Sequence, residues 1–145
     1  LIEVLPEEIF KPETVAYLKR TNEANLIDMT LDQALLERRR LRRLWSAFLT
    51  EYTVCIGPTW SNLQWPIDTD LDPDKGDEVL RESFMFIAPG NCLGIPSVAL
   101  PMGVNNGLLT GIQVYSELYR EDLCLNAAEL IQDHVPCPTP IDPIK

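Results

Sequence analysis

Histidine is nearly absent from this 145-residue chain, with His134 the single example. It stands just ahead of a proline-rich tail, with no serine or cysteine at a suggestive neighbouring position, and reads as a surface residue. Triads are assembled in space, so spacing alone leaves a Ser-His-Asp or Cys-His device open, but one histidine beside a tail is a poor basis for either. Paired cysteines are also missing. Cys55, Cys92, Cys124 and Cys137 lie far apart and match no zinc spacing. The first three sit in apolar contexts and read as reduced buried thiols of a cytoplasmic protein. There is no glycine-rich phosphate loop, and no cluster of histidines and carboxylates suited to a catalytic metal. No cofactor or metal is therefore expected. Basic residues are few: 12 against 22 acids, a formal charge of -10. That balance repels nucleic acid and anionic membranes unless one face is locally basic. The first eight residues, Leu1 to Glu8, are acidic where a secretory leader needs a basic segment. The first residue is not Met, so the chain reads as a piece of a longer one or a processed one.

The chain does have apolar content, 46% of its residues, which excludes disorder and fits one globular domain. A chain this long removes roughly two thirds of its unfolded surface from water, enough for a core without disulfides. Pro12 suits the first turn of a short helix over about 13–24, ended by Asn25. The clearest helix follows over about 31–50. Thr30 and Gln33 form a capping box, and Leu31, Ala34, Leu35, Leu41, Leu44, Trp45, Phe48 and Leu49 recur at three- and four-residue intervals. This helix also carries Arg38, Arg39, Arg40, Arg42 and Arg43. A solvated face is the favoured reading over a nucleic-acid patch, given the overall acidity. On a helical projection Arg38 and Arg42 fall inside the apolar arc. A guanidinium there needs carboxylates or carbonyl oxygens, and the expectation is that Arg38 or Arg42 pairs with an acid, on this chain or on a part of the protein missing from it.

Residues 52–57 form a branched and aromatic β-type run that Pro58 is expected to stop. A long connection over 58–76 carries Asp68, Asp70, Asp72 and Asp74, with Asp77 just beyond. Counted as a calcium loop from Asp68, it places Pro73 and Val79 where Gly and Glu are required; from Asp70 it places Lys75 and Arg81 there. A solvated acidic loop is the better reading. A helix over about 77–87 should end before Pro89-Gly90.

From Ser83 to Ser116 no residue is charged. Pro89, Pro96, Pro101 and five glycines forbid a single membrane-spanning helix there. The alternative is a segment enclosed by protein, with short strands at 97–100 and 110–115 in a covered sheet and a turn at Asn105-Asn106-Gly107. A last helix runs over about 121–133, with Glu121 and Asp122 at the positive end of its dipole.

The run Asn91-Cys92-Leu93-Gly94-Ile95-Pro96-Ser97-Val98-Ala99-Leu100-Pro101-Met102-Gly103, with Gly107 and Gly111-Ile112-Gln113-Val114, resembles the C-terminal part of the amidase signature family. Upstream, Tyr52-Thr53-Val54-Cys55-Ile56-Gly57-Pro58-Thr59 is similar to that family's strand and Gly-Pro-Thr corner. Downstream, the run from Glu121 to Glu129 is similar to its terminal helix. Leu109 departs from the proline usual after Gly-Leu.

The resemblance implies an α/β fold in which this chain is the C-terminal part of a mixed β-sheet flanked by helices. Residues 31–133 match best, 1–30 are an irregular lead-in with a short helix, and 134–145 an extended tail. It implies amide hydrolysis by a Ser–Ser–Lys set, with backbone N–H groups of a glycine-rich loop stabilising the oxyanion. The serines here, Ser46, Ser61, Ser83, Ser97 and Ser116, include no adjacent pair, and the lysines are polar or terminal. No catalytic residue is carried over, and the chain alone is expected to be inactive. What carries over is a candidate pocket wall: Asn91, Cys92, Gly94, Ile95 and Pro96 from the Asn-x-x-Gly-x-Pro turn, joined by Trp60. Both have an architectural alternative. The turn shapes the sheet edge, or the tryptophan packs a long loop. The implied partners are a small amide substrate and the missing N-terminal half. The alternatives are a non-catalytic assembly subunit, or part of a tRNA-dependent amidotransferase.

Overall fold

The computed structural model describes residues 9–23 and 28–135. The lead-in before Ile9, the helix end at Asn25 and the tail from Pro136 lie outside them. Among these residues five α-helices and three strands follow in order: α1 (Pro12–Glu23), α2 (Leu31–Glu51), β1 (Cys55–Pro58), α3 (Gly76–Ser83), α4 (Ile87–Leu93), β2 (Ser97–Asn105), β3 (Leu108–Tyr115) and α5 (Glu121–His134).

The capping box forms as the sequence reads. Thr30 Oγ1 accepts from the Gln33 N–H at 3.3 Å, and Gln33 Oε1 accepts from the Thr30 N–H at 2.8 Å. Two orphan donors of the first turn are thereby satisfied.

The expected helix over 77–87 is instead two. α3 stops at Ser83, three residues turn, and α4 runs to Leu93. Pro89 does not end a helix; it lies in the first turn of one, where its missing N–H breaks no bond. Ahead of α3, Asp72 Oδ1 accepts from the backbone N–H groups of Asp74 and Lys75 at 2.9 and 3.1 Å. These bonds, with Lys75 nearby, hold its carboxyl below the ordinary carboxylate range.

The sheet has the order β1-β3-β2 and is antiparallel throughout the described residues. Both prolines in strands lie on its edges: Pro58 is the last residue of β1, not a residue beyond it, and Pro101 adjoins the β2 bulge. Asn106 (φ 52°) and Gly107 (φ 79°) make the two-residue turn between β2 and β3. Both strands are longer than their uncharged, branched cores foretell.

Val114 and Tyr115 are adjacent in β3 and so face opposite sides of the sheet, yet they are 0% and 3% exposed. Both faces are covered at that end. α5 packs on β2 and β3, while the Tyr115 ring meets Trp45 of α2 edge-on at 6.2 Å. The enclosure expected for the whole uncharged stretch holds at Leu93, Leu100 and Gln113–Ser116. It does not hold at the hairpin tip, where residues 104–109 are exposed. The hairpin tip extends beyond the helices that cover its base.

Candidate functional site

α4 ends in a left-handed turn. Gly94 has φ 66°, its N–H donates to the Gly90 carbonyl at 2.8 Å, and the Ile95 N–H reaches the same oxygen at 3.4 Å. Glycine is needed there, since other residues are strained at that φ. The Pro96 carbonyl then accepts from the Ser116 N–H at 3.4 Å, which ties the turn to the end of β3.

The turn is also held from α2. Arg38 Nε donates to the Cys92 carbonyl at 2.5 Å and Arg42 Nε to the Leu93 carbonyl at 2.6 Å. Among the described residues, carbonyl oxygens stand where an acid partner was expected. The reason is local: the last carbonyls of α4 lack helical partners and form the negative end of its dipole. Their segment is free of carboxylates. Both guanidinium ends converge on Gly94, with Nη2 of Arg42 and Arg38 at 3.1 and 3.2 Å from where a β-carbon would stand.

Asn91, Cys92 and Gly94 are exposed, and Ile95 and Pro96 are half-buried. Cys92 lines an apolar groove of about 440 Å³ between α2 and α4. Ile95 lines a cavity of about 110 Å³ with Arg42, Trp45, Ser46 and Glu117. Trp60 lies in a third place, a cleft of about 610 Å³ walled by Pro58, Thr59, Pro101, Leu109 and Gly111. Three of the six candidates thus line three separate concavities, and Asn91, Gly94 and Pro96 line none of these. Trp60 also packs against Trp65 and Phe84, with ring centroids 5.1 and 4.9 Å apart.

Sequence reasoning missed two residues of the Trp60 cleft. Gln64 Nε2 donates to the Leu109 carbonyl, bridging the loop to β3. Thr59 Oγ1 is buried without a hydrogen-bond partner among the described residues and lies beside Gly111. The only signal was the Gly-Pro-Thr corner itself.

Among the described residues, the buried serines and Cys124 are engaged structurally. Ser83 and Ser116 are 0% exposed; their Oγ atoms donate to the carbonyls of Val79 at 2.7 Å and Arg120 at 2.6 Å. Ser97 Oγ accepts from Gln113 Nε2 at 2.9 Å. Burial pushes the Cys124 thiol up, and Sγ lies 3.1 Å from Ser116 Oγ. Burial likewise raises Cys55. A nucleophile needs the opposite shift or an adjacent base. His134 is exposed, its Nδ1 2.8 Å from the Leu130 carbonyl of its own helix. No group of three metal-ligating side chains occurs among the described residues. No helix among them is long and apolar enough to cross a membrane.

No family model matches the chain. Its sequence is 30% identical to an indoleacetamide hydrolase of Bradyrhizobium diazoefficiens, over 90% of this chain and 28% of that protein. It is 30% identical to a glutamyl-tRNA(Gln) amidotransferase subunit of Clostridium kluyveri, over 66% of this chain and 19% of that protein. The solved structure of the corresponding subunit from Thermotoga maritima shares the fold at a TM-score of 0.67 and 22% identity, covering 90% of this chain and 27% of that one. The chain therefore spans about a quarter of the length of the relatives it matches. Across most of its length the chain is thus similar in sequence to amidase signature enzymes, and it shares the fold of a solved one.

Proposed function

We propose that this chain provides the C-terminal portion of an amidase signature hydrolase, which cleaves a carboxylic amide C–N bond. The observation that carries this reading is the sequence shared with an indoleacetamide hydrolase over 90% of the chain. In this reading the matched core is 31–133, preceded by a lead-in with a short helix and followed by a tail. The Ser–Ser–Lys set lies on the remaining polypeptide. There one serine attacks the carbonyl, a second relays its proton to a neutral lysine, and backbone N–H groups hold the oxyanion.

This chain contributes shape. The Asn91–Pro96 turn, braced by Arg38 and Arg42, forms a wall of the substrate pocket, with the Cys92 side chain on its other side in the α2–α4 groove, and Trp60 contributes apolar surface from its own cleft. The working enzyme is cytoplasmic and takes a small amide, with neither cofactor nor nucleic acid. A place in a tRNA-dependent amidotransferase is disfavoured by the charge of -10 and by the occupation of Arg38 and Arg42 with carbonyls.

The test is the DNA upstream of Leu1. The expected result is an in-frame Gly-Ser-rich segment with a lysine before it. A start site immediately upstream, with no such segment in the frame, favours a separate non-catalytic subunit instead.

A further inference from the structure

α2 runs for 21 residues without one buried residue. Its polar side explains part of that, but its apolar side is open as well. Leu44, Phe48 and Tyr52 are 54%, 42% and 54% exposed. Projected at about 100° per residue, Leu41, Leu44, Trp45, Phe48 and Tyr52 form one stripe about a quarter-turn wide. The stripe borders the groove of about 440 Å³ toward α4, whose walls include Leu41, Leu44, Trp45, Phe48, Pro89 and Cys92. No charged side chain lines it. Phe48 and Tyr52 stack at 4.7 Å in that open setting. Leu125 and Leu130 on α5 stand apart from each other, and Val104, Leu108 and Leu109 form a smaller exposed group at the hairpin tip. A continuous apolar patch marks an interaction surface far more often than isolated leucines do.

We propose that the α2 stripe and the α2–α4 groove are the docking surface for the polypeptide that completes the amidase fold, through an apolar side of its own. This rests on the reading of the chain as part of a larger hydrolase. The length of the relatives argues for this occupant, since the shared part is 27% of the solved chain and the rest lies outside it. A second copy of this chain is a poorer occupant, because two bodies of charge -10 repel on approach. The Arg38 and Arg42 bonds to α4 set the width of the groove before anything enters it.

Cys92 is exposed on the groove wall and reports occupancy. The experiment places this chain in the Bradyrhizobium diazoefficiens hydrolase in exchange for the portion it matches, and compares alkylation of Cys92 with that in the isolated chain. The expected result is alkylation slowed by about tenfold or more. The pair Leu44→Glu and Phe48→Glu should destabilise the chimera but leave the isolated chain folded, and Leu125→Glu with Leu130→Glu on α5 should leave both unchanged. A folded chimera with Cys92 as reactive as before, or indifferent to the α2 pair, overturns the surface assignment; amide hydrolysis by that chimera would leave the hydrolase reading standing. Should the chimera not fold, the isolated chain decides. An apolar dye should bind it and be lost with the α2 pair. No dye binding, or self-association that protects Cys92, overturns the proposal.

Discussion

The ring of Tyr115 occupies the space that a β-carbon on Gly90 would need: Cε1 is 2.3 Å from that position. The phenol then donates to the Phe86 carbonyl at 3.1 Å, while the ring packs on Phe86 at 5.1 Å and on Trp45 at 6.2 Å. One side chain of the central strand thereby seats α4, the turn before it and α2. Gly90→Ala should displace the ring and destabilise the fold by about 1–3 kcal/mol. Tyr115→Phe should cost about 1 kcal/mol, the value of one hydrogen bond, because the packing survives. Urea unfolding of the two variants checks the order.

The arginine brace predicts a different asymmetry. Arg38→Met and Arg42→Met should each lose about 1 kcal/mol after allowance for solvent, since each charged donor leaves one helix-end carbonyl to water. Lysine should not restore it fully, because an ammonium lacks the fixed geometry of the guanidinium Nε. Amide exchange at Ile95, whose N–H closes the turn, should quicken in both variants and leave α5 unchanged.

Three raised groups set the alkaline limit. Burial lifts the thiols of Cys55 and Cys124 above their ordinary 9.0 and the phenol of Tyr115 above 10.0. The folded chain therefore keeps these protons where the unfolded chain has lost them. The associated stability is complete below about pH 9 and declines as pH rises past the unfolded values toward the folded ones. Melting temperature should fall from pH 9 to 11, and Cys124→Ala should flatten part of that slope. A melting temperature that climbs over this range contradicts the burial seen here.

The helices readable in the sequence were those whose ends carry their own chemistry. Thr30 and Gln33 mark the start of α2, and the acids at Glu121 and Asp122 mark that of α5. α4 was hidden because Pro89-Gly90 looks like punctuation. Proline is tolerated in a first turn, and the glycine is required by the Tyr115 ring, a contact 25 residues away in sequence. The arc containing Arg38 and Arg42 was visible by projection, but its partners were not. A helix C-terminus made of uncharged residues gives no composition signal for the carbonyls it exposes. The candidate site was readable as a turn, Asn91 to Pro96, and unreadable as a cleft. Periodicity assigns residues to a face, and only the packed chain shows Trp60 lying in a concavity apart from Cys92.

The serines give the last prediction. Ser83 and Ser116 are fully buried and donate to the carbonyls of Val79 and Arg120. Ser116 Oγ also lies 3.1 Å from Cys124 Sγ, a thiol whose own pKa is raised. A serine that spends its proton on a carbonyl in the interior has no base to receive it and no opening to substrate. Ser83→Ala and Ser116→Ala should therefore lower stability by about 1 kcal/mol, because each removes one buried hydrogen bond. Neither should alter amide turnover, which should be at the buffer rate for the isolated chain with aryl amides. Turnover that exceeds that rate and disappears with either alanine would place the nucleophile in this chain, against the geometry of both hydroxyls.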